Sequence, residues 1–191
     1  KYEVTFKEYD AFAIATDRDL PSDQQWGRDR RPVINVAWDE ANAYAEWLSG
    51  ETGKHYRLPT ESEWEYAARS GAKDVWAGPS NDTELGEYAV FLNSASNGTT
   101  KVGTKKGNGF GLHDLSGNVW EWVEDCAHLT YLGVPNDGAA WLGTPEGNCK
   151  QHVGRGGSWD NHSGYLRVSY RTGTHADYRS ANLGFRLAQD P

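Results

Sequence analysis

The residues able to support catalysis are scattered along this chain, and none has the spacing of a catalytic motif. The six histidines fall at no zinc-ligand spacing. Gly154–Ser158 differs from the G-x-S-x-G turn that exposes a nucleophilic serine. The alternate glycines of residues 107–111 open no predicted helix, so they indicate turns and not a phosphate loop. Cys126 and His128 are close in sequence, and a structural cysteine is favoured over a nucleophile.

Oxygen-bearing side chains beside one glycine turn are the best candidates for a metal site. Just after Gly117 come Asn118, Glu121, Glu124 and Asp125. Hard cations such as Ca²⁺ bind carboxylate, amide and backbone oxygens. The sequence therefore predicts a structural calcium ion here, and ordinary surface polarity is the alternative interpretation.

The two cysteines, Cys126 and Cys149, are 23 residues apart. In the chain-entropy estimate a disulfide between them would stabilise the fold by about 3 kcal/mol. The segment between them is rich in Gly, Pro and Asn, which favours such a link, and a pair of buried thiols is the alternative. A disulfide would favour an extracytoplasmic location, secreted or at a cell surface, whereas free thiols would keep a cytoplasmic location open.

The segment from Asp160 to Asn182 has the composition of a contact surface. It is polar and aromatic, and it lies between two scaffold-like stretches, Gly154–Trp159 and Leu183–Ala188. Rigid aromatic and short polar side chains are the types that binding surfaces use. The segment therefore predicts binding and not covalent chemistry.

Bulk properties narrow the function classes. A chain of 191 residues fits one domain with a sizeable core. Its formal net charge of −8 argues against a protein that follows nucleic-acid phosphates. No apolar run approaches the roughly 18 residues of a membrane span. Nine Trp and ten Tyr suit an irregular core and a binding surface.

The elements that must position this surface are few. A helix is predicted near Lys7–Thr16 and a strand at Pro32–Val36. A clearer amphipathic helix begins after Asp39 as its N-cap and ends at Gly50.

The strongest local signal lies at Arg57–Arg69. Thr60 and Glu63 form a capping box, and Glu61 and Glu65 are interpreted as first-turn and solvent-facing charges. Val119–Val123 is predicted to be a strand. Two main helices, short strands and much irregular loop indicate an α+β fold.

Four segments resemble the formylglycine-generating enzyme (sulfatase-modifying factor) family and occur in the family's order: Arg57–Arg69, Gly111–Trp122, Arg155–Trp159 and Asn182–Arg186. The resemblance runs from about Tyr2 to Ala188. It implies a single C-type-lectin-like domain over residues 1–191. The family's first strands have no counterpart here, so we expect a truncation or a preceding region.

The resemblance also bears on cofactors. Oxidase members hold copper on two cysteines in the C-terminal stretch, because a thiolate pair suits Cu(I). Asn161 and Leu166 occupy the matching positions, so no copper is expected and the oxidase interpretation is poorly supported. A calcium loop of the family matches Asn118 and Val119, whereas Gly103 stands where another calcium site has Asp. The expected calcium ligands are Asn118, Val119, Glu121 and Glu124.

Within the family, the C-terminal stretch resembles the variable region of target proteins of diversity-generating retroelements. Randomised AAY codons become NNY codons, which cannot encode Lys, Glu, Gln, Met or Trp. None of these five residue types occurs from Asp160 to Arg186, and ordinary divergence is the alternative explanation. The expected contact residues are Trp159, Asp160, Asn161, His162, Gly164, Tyr165, Ser169, Tyr170, Thr172, Thr174, His175, Tyr178, Ser180 and Asn182.

The sequence thus predicts a non-catalytic, monomeric binding protein, bacterial or phage-encoded, for a protein or glycan ligand. Tyr165, Tyr170, His175 and Tyr178 are expected to share one exposed face. No nucleic-acid partner and no membrane-spanning segment are expected.

Two alternative functions stay open. An enzyme or accessory factor of the family would use a deep pocket near Ser158 and Trp122. A calcium-dependent sugar-binding lectin is suggested by the triplets at residues 135–137 and 159–161.

Overall fold

The computed structural model describes residues 1–94, 97–143 and 149–191. Its helices are α1 (Phe6–Ala15), α2 (Trp38–Thr52), α3 (Glu61–Arg69) and the short α4 (Leu85–Tyr88), with a 3₁₀ turn at Ser163–Leu166. Its strands are β1 (Tyr56–Arg57), β2 (Trp120–Cys126), β3 (Gln151–Arg155), β4 (Arg171–His175), β5 (Leu183–Phe185) and β6 (Ala188–Gln189). The helices are few and the strands short, so the predicted α+β class is confirmed.

The main sheet has the order β4-β3-β2-β5. β3 pairs antiparallel with both β2 and β4, whereas β2 and β5 are parallel. The parallel register places Trp120 opposite Leu183 and Trp122 opposite Phe185. The strands β4 and β5 therefore form the two edges of this sheet: β4 lies within the segment 160–182 that the sequence marked as a contact surface, and β5 directly follows that segment.

Two helices begin with reciprocal caps. Thr5 accepts from the backbone N–H of Glu8, whose carboxylate accepts from the N–H of Thr5. Thr60 and Glu63 form the same box at α3, so this prediction is confirmed. Each box satisfies backbone N–H groups that have no partner within the helix.

Two local predictions are wrong. Helix α2 begins one residue before Asp39, because the Glu40 carboxylate accepts from the backbone N–H of Ala37 and caps the helix there. It also continues beyond Gly50 to Thr52 and is capped by Gly53, which has the left-handed φ of 69°. Residues 32–36 form only one bridge, between Pro32 and Thr5.

The segment after that bridge is nevertheless core. Val33 and Ile34 are fully buried, and they pack in one cluster with Trp122 and Phe185. An apolar run of this kind predicts a strand. Here the residues are apolar because their side chains are buried, and not because the backbone pairs in a sheet.

The disulfide joins Cys126, at the end of β2, to Cys149, with their Cα atoms 5.3 Å apart. Both thiols of the chain are therefore used in one structural link. Over the described part of the chain, no helix combines the length and apolarity needed to span a bilayer.

Candidate ligand-binding face

A shallow depression of about 190 Å³ lies over β2 and β4, and we call it the Trp120 depression. Its floor and rim are formed by Trp120, Thr172, Thr174, Tyr178, Asn182 and Leu183. Thr172 and Thr174 reach it together because alternate residues of a strand point to the same side. Thr172, Thr174, Tyr178 and Asn182 were expected contact residues, whereas Trp120 and Leu183 were not.

Trp120 was missed for an identifiable reason. It stands more than fifty positions before Thr172 in the sequence, inside a stretch interpreted as scaffold. Only the pairing of β2 with β3, and of β3 with β4, brings its ring beside the two threonines. The one available signal was the period-2 pattern of β2, which did not reveal the side of the sheet.

Aromatic side chains continue outward from the depression. The Trp120 and Tyr170 ring centroids are 5.9 Å apart, and those of Tyr170 and Tyr165 are 5.0 Å apart. Tyr165 is 43% exposed and Tyr178 is 52% exposed, while Tyr170 is half-buried. Tyr170 and Tyr165 therefore extend the aromatic surface from Trp120 on one side, and Tyr178 lines the depression itself.

His175 and Ser169 do not belong to this face. His175 follows Thr174 on β4, points to the other side of the strand, and lines a separate depression beside the disulfide. Ser169 borders a cavity next to Glu61. The prediction that His175 shares a face with Tyr178 is wrong, because successive side chains of a strand alternate.

Several expected contact residues instead hold the loops in place. The buried Ser158 hydroxyl contacts the Asp160 and Asn161 side chains, both at 2.7 Å. The Asn182 amide donates to the Asp160 carboxylate at 3.1 and 3.2 Å. Ser180 donates to the Asn182 side-chain oxygen at 2.7 Å. This chain of contacts joins the two ends of the C-terminal segment.

Trp159 supports the same junction. Its indole N–H donates to the carbonyl of Ala181 at 3.2 Å, and its ring meets that of Trp26 edge to face at 5.3 Å. His162 and Gly164, in contrast, are exposed around the 3₁₀ turn. The fourteen expected contact residues thus divide among the Trp120 depression, loop-fixing positions, exposed positions and positions on other surfaces.

The two positions that match the copper-binding cysteines are occupied by Leu166 and Asn161. One side chain packs in the core, and the other fixes a loop. Leu166 is fully buried in a cluster with Trp76, Leu85, Ala89 and Phe91. Asn161 accepts from the Ser158 backbone N–H at 3.1 Å and from its hydroxyl. Neither side chain has a sulfur that could bind Cu(I).

The expected calcium ligands are not brought together as one set. Both Glu121 oxygens are bonded to the Arg186 guanidinium at 2.6 Å, and Trp64 donates to one of them. The Asn118 side-chain oxygen accepts from Thr100, and the Asn118 amide and the Val119 N–H both donate to Glu3.

Glu124 lies further along β2, where burial raises the pKa of its carboxyl. Over the described residues, no group of three or more His, Cys, Asp or Glu is placed to hold a metal ion. The Glu121 carboxylate in particular does not fit the role of a calcium ligand, because its oxygens already neutralise a buried arginine.

Ser158 and Trp122 are both fully buried. Neither residue lines the Trp120 depression or the depressions beside the disulfide and Glu61, and the deep pocket expected near them stays a prediction.

Glu61 forms the main ionic contact behind the face. It is only 6% exposed, and its two oxygens accept from the Arg171 guanidinium at 2.7 Å. The buried Arg155 approaches the same carboxylate at 3.3 Å. The interpretation of Glu61 as a solvated charge is therefore wrong, because β3 and β4 cover it.

Known proteins match the chain over its whole length. Residues 1–191 match the family described as "Sulfatase-modifying factor enzyme 1-like domain". The chain belongs to this family. The formylglycine-generating enzyme of Streptomyces coelicolor is 38% identical in an alignment of length 187. The alignment covers 86% of this chain and 54% of that protein. The chain thus spans about half the length of the curated relatives it matches.

Solved structures of similar shape include two with high scores. PvdO from Pseudomonas aeruginosa has a TM-score of 0.92 at 31% identity, covering 100% of this chain and 78% of PvdO. Treponema denticola variable protein 1 has a TM-score of 0.85 at 29% identity, covering 100% of this chain and 84% of that one. The C-type-lectin-like fold implied by the family resemblance is confirmed.

Proposed function

We propose that this family member is a non-catalytic binding protein that contacts a protein or glycan ligand through the face around Trp120. The observation that carries the proposal is the grouping of Thr172, Thr174 and Tyr178 with Trp120 in one open depression. These side chains project from paired strands and from a loop whose ends are joined through Asp160 and Asn182. A contact surface on a rigid frame loses little entropy on binding.

The absence of a thiol pair at the matching positions supports binding over oxidation. Leu166 is enclosed by apolar side chains, and Cys126 is bonded to Cys149. The similarity to a protein named variable protein 1 favours the same choice. Relatives named formylglycine-generating enzyme favour a second candidate function, that of an enzyme or accessory factor.

The remaining properties follow from the same features. The disulfide supports an extracytoplasmic location, because such links persist in oxidising compartments. A monomer is the proposed state of the free protein. A calcium ion would have a structural role, and a calcium-dependent sugar site at residues 135–137 or 159–161 is the less favoured alternative.

The binding proposal is tested with paired variants. The face variant carries Tyr165→Ala, Thr172→Ala, Thr174→Ala and Tyr178→Ala, and the control carries Ile14→Ala and Tyr66→Ala at exposed positions elsewhere. All three proteins are applied to a glycan array and to a panel of extracellular proteins. We expect one or more ligands to be retained by the wild type and the control and lost by the face variant. Ligands that bind the face variant equally well, or no ligand for the wild type, would refute the proposal.

The enzyme alternative has its own assay. Wild-type protein is incubated with copper, oxygen and a cysteine-containing peptide, and peptide mass and oxygen uptake are followed. Copper alone oxidises peptide thiols to disulfides with oxygen uptake, so the control contains copper, oxygen and peptide without protein. We expect the protein to add nothing to this control. Faster oxygen uptake together with a peptide product that the control lacks would establish enzymatic oxidation in place of simple binding.

A further inference from the structure

We infer that the Trp120 depression is a calcium-independent subsite for one neutral sugar ring. This inference rests on the proposed binding function and specifies its ligand. The first observation is the character of the lining: none of the side chains of Trp120, Thr172, Thr174, Tyr178, Asn182 and Leu183 carries a formal charge at neutral pH. Phosphate, carboxylate and ammonium ligands are recognised by charged partners, so an uncharged depression favours a neutral ligand.

The second observation is the combination of an aromatic floor with hydroxyl groups. Trp120 and the buried Leu183 provide apolar surface at the base. Thr172, Thr174 and Tyr178 provide hydroxyls, each able to donate and to accept a hydrogen bond. A pyranose ring has the complementary distribution, because its C–H face is apolar and its edge consists of hydroxyls. An aromatic face next to hydrogen-bonding groups is the arrangement that holds such an amphipathic ring.

The third observation is that the depression is preformed. Asn182 is held on one side by Ser180 at 2.7 Å and on the other by Asp160, so its amide has a fixed orientation at the rim. Gly154 lies beneath the threonine side: a Cβ at this position would come within 3.0 Å of the Thr172 methyl and 3.8 Å of the Trp120 ring. Because Gly154 has no side chain, Thr172 and Trp120 pack against the β3 backbone at this position and the space above them stays open.

The size of the space limits the ligand to one ring. Its volume of about 190 Å³ lies below the roughly 300–1,000 Å³ of sites that enclose drug-sized molecules. A single sugar ring held in such an open site is expected to bind with a Kd of about 1–10 mM. A larger glycan would gain affinity from the neighbouring rings of Tyr170 and Tyr165.

The test is a titration of ¹⁵N-labelled protein followed by NMR. The indole N–H signal of Trp120 is assigned from its loss in Trp120→Phe. Methyl glucopyranoside, methyl mannopyranoside, methyl galactopyranoside and N-acetylglucosamine are added separately, with and without EDTA. Sorbitol is the control, because it has the hydroxyls without the ring. We expect at least one pyranoside to shift Trp120, Thr172 and Thr174 in a saturable manner, EDTA to change nothing, and sorbitol to have no such effect.

Variants make the site assignment specific. Thr172→Val keeps the shape and removes one hydroxyl, so Kd should rise at least threefold. Trp120→Leu should abolish the shift. Tyr178→Phe provides a second mild variant if Trp120→Leu does not fold. Tyr66→Phe, which alters an exposed tyrosine on α3, should bind like the wild type.

Three outcomes would overturn the inference: no response to any pyranoside, an equal response to sorbitol, or unchanged affinity in both Thr172→Val and Tyr178→Phe. A response lost in EDTA would replace it with calcium-dependent binding. If a protein ligand depends on the face while every pyranoside fails, the inference is wrong and the proposed binding function stands. If neither class of ligand binds, both are wrong.

Discussion

Arg171 and Glu61 are joined by two hydrogen bonds of 2.7 Å that connect β4 to the first turn of α3 across 110 residues of sequence. Arg171 immediately precedes Thr172 on β4. The Arg171–Glu61 pair therefore anchors β4 on the side opposite the Trp120 depression. Burial disfavours the charge of Arg171, yet its hydrogen bonds to Glu61 hold the pKa of the guanidinium above its ordinary value. The binding face and the ionic contact are thus opposite sides of one strand.

Removal of one partner of this pair should be costly. For Glu61→Gln we expect a loss of about 3 kcal/mol in the free energy of unfolding, because Arg171 loses its buried counter-charge and the buried Arg155 keeps only Glu65. Urea denaturation measures the change. The control is Glu40→Gln, which breaks a more exposed pair with Arg179 and should cost about 1 kcal/mol or less. Equal losses in the two variants would contradict the assigned role of Glu61.

The cap of α3 gives a pH-dependent prediction. The Arg57 guanidinium, hydrogen-bonded to Glu63, lowers the pKa of that carboxyl below its ordinary value. A lowered carboxyl pKa in the folded state stabilises the fold above the unfolded pKa of about 4.5, and this contribution disappears as pH falls through the folded pKa. The Glu63 side chain is 41% exposed, so we expect Glu63→Gln to cost about 1 kcal/mol or less at pH 7.

The measurement is the free energy of unfolding of the wild type and Glu63→Gln from pH 7 to pH 3. The difference between the two curves should shrink as pH falls below 4.5. A constant difference would mean that the substitution acts through helix capping or packing and not through the ionised carboxylate.

Leu166 occupies the position of a family copper cysteine, and its role here should be packing. Leu166→Ala is expected to lower the free energy of unfolding by about 2–5 kcal/mol, because it leaves a cavity among buried apolar side chains. Thermal and urea unfolding both report the change. Ile14→Ala, at a position 74% exposed on α1, should have an effect within about 0.5 kcal/mol. A mild effect of Leu166→Ala would show that this position is not part of the core.

The disulfide should stabilise the fold without shaping the face. Cys149→Ser is expected to cost about 3 kcal/mol, as a loop of this length predicts. A reducing agent should lower the Tm of the wild type and leave that of Cys149→Ser unchanged. The NMR signals of Thr172 and Thr174 in the folded variant should match those of the wild type. Loss of these signals would instead connect the disulfide to the face.

Local chemistry explains which predictions succeeded. Thr60 and Glu63 are three residues apart, so their capping box is encoded within one helical turn. The same reasoning failed at Asp39, because two neighbouring acidic residues can each cap a helix start and Glu40 reaches back to Ala37. The strand predicted at residues 32–36 is wrong, because Asn35 interrupts the run with a left-handed φ of 59° and because strand pairing requires a partner that no local pattern identifies.

The surface or buried position of three residues could not be predicted from the sequence: Glu61, Trp120 and His175. Glu61 looked like a surface charge because its ionic partners, Arg155 and Arg171, stand 94 and 110 positions later. Trp120 looked like scaffold because Thr172 approaches it only through two strand pairings. His175 looked like a contact residue because its type suits a binding surface, yet the alternation of β4 turns it away from Thr174.

The sequence by itself determined the family, the α+β class, the cap of α3 and the uncharged character of the residues that line the face. These properties depend on residue type and on spacing within a few positions. The tertiary structure alone decided which of those residues share a surface and which charges are covered. Both outcomes depend on strand register and sheet order, which bring together residues distant in sequence, and a shift of one residue would expose the opposite set of side chains.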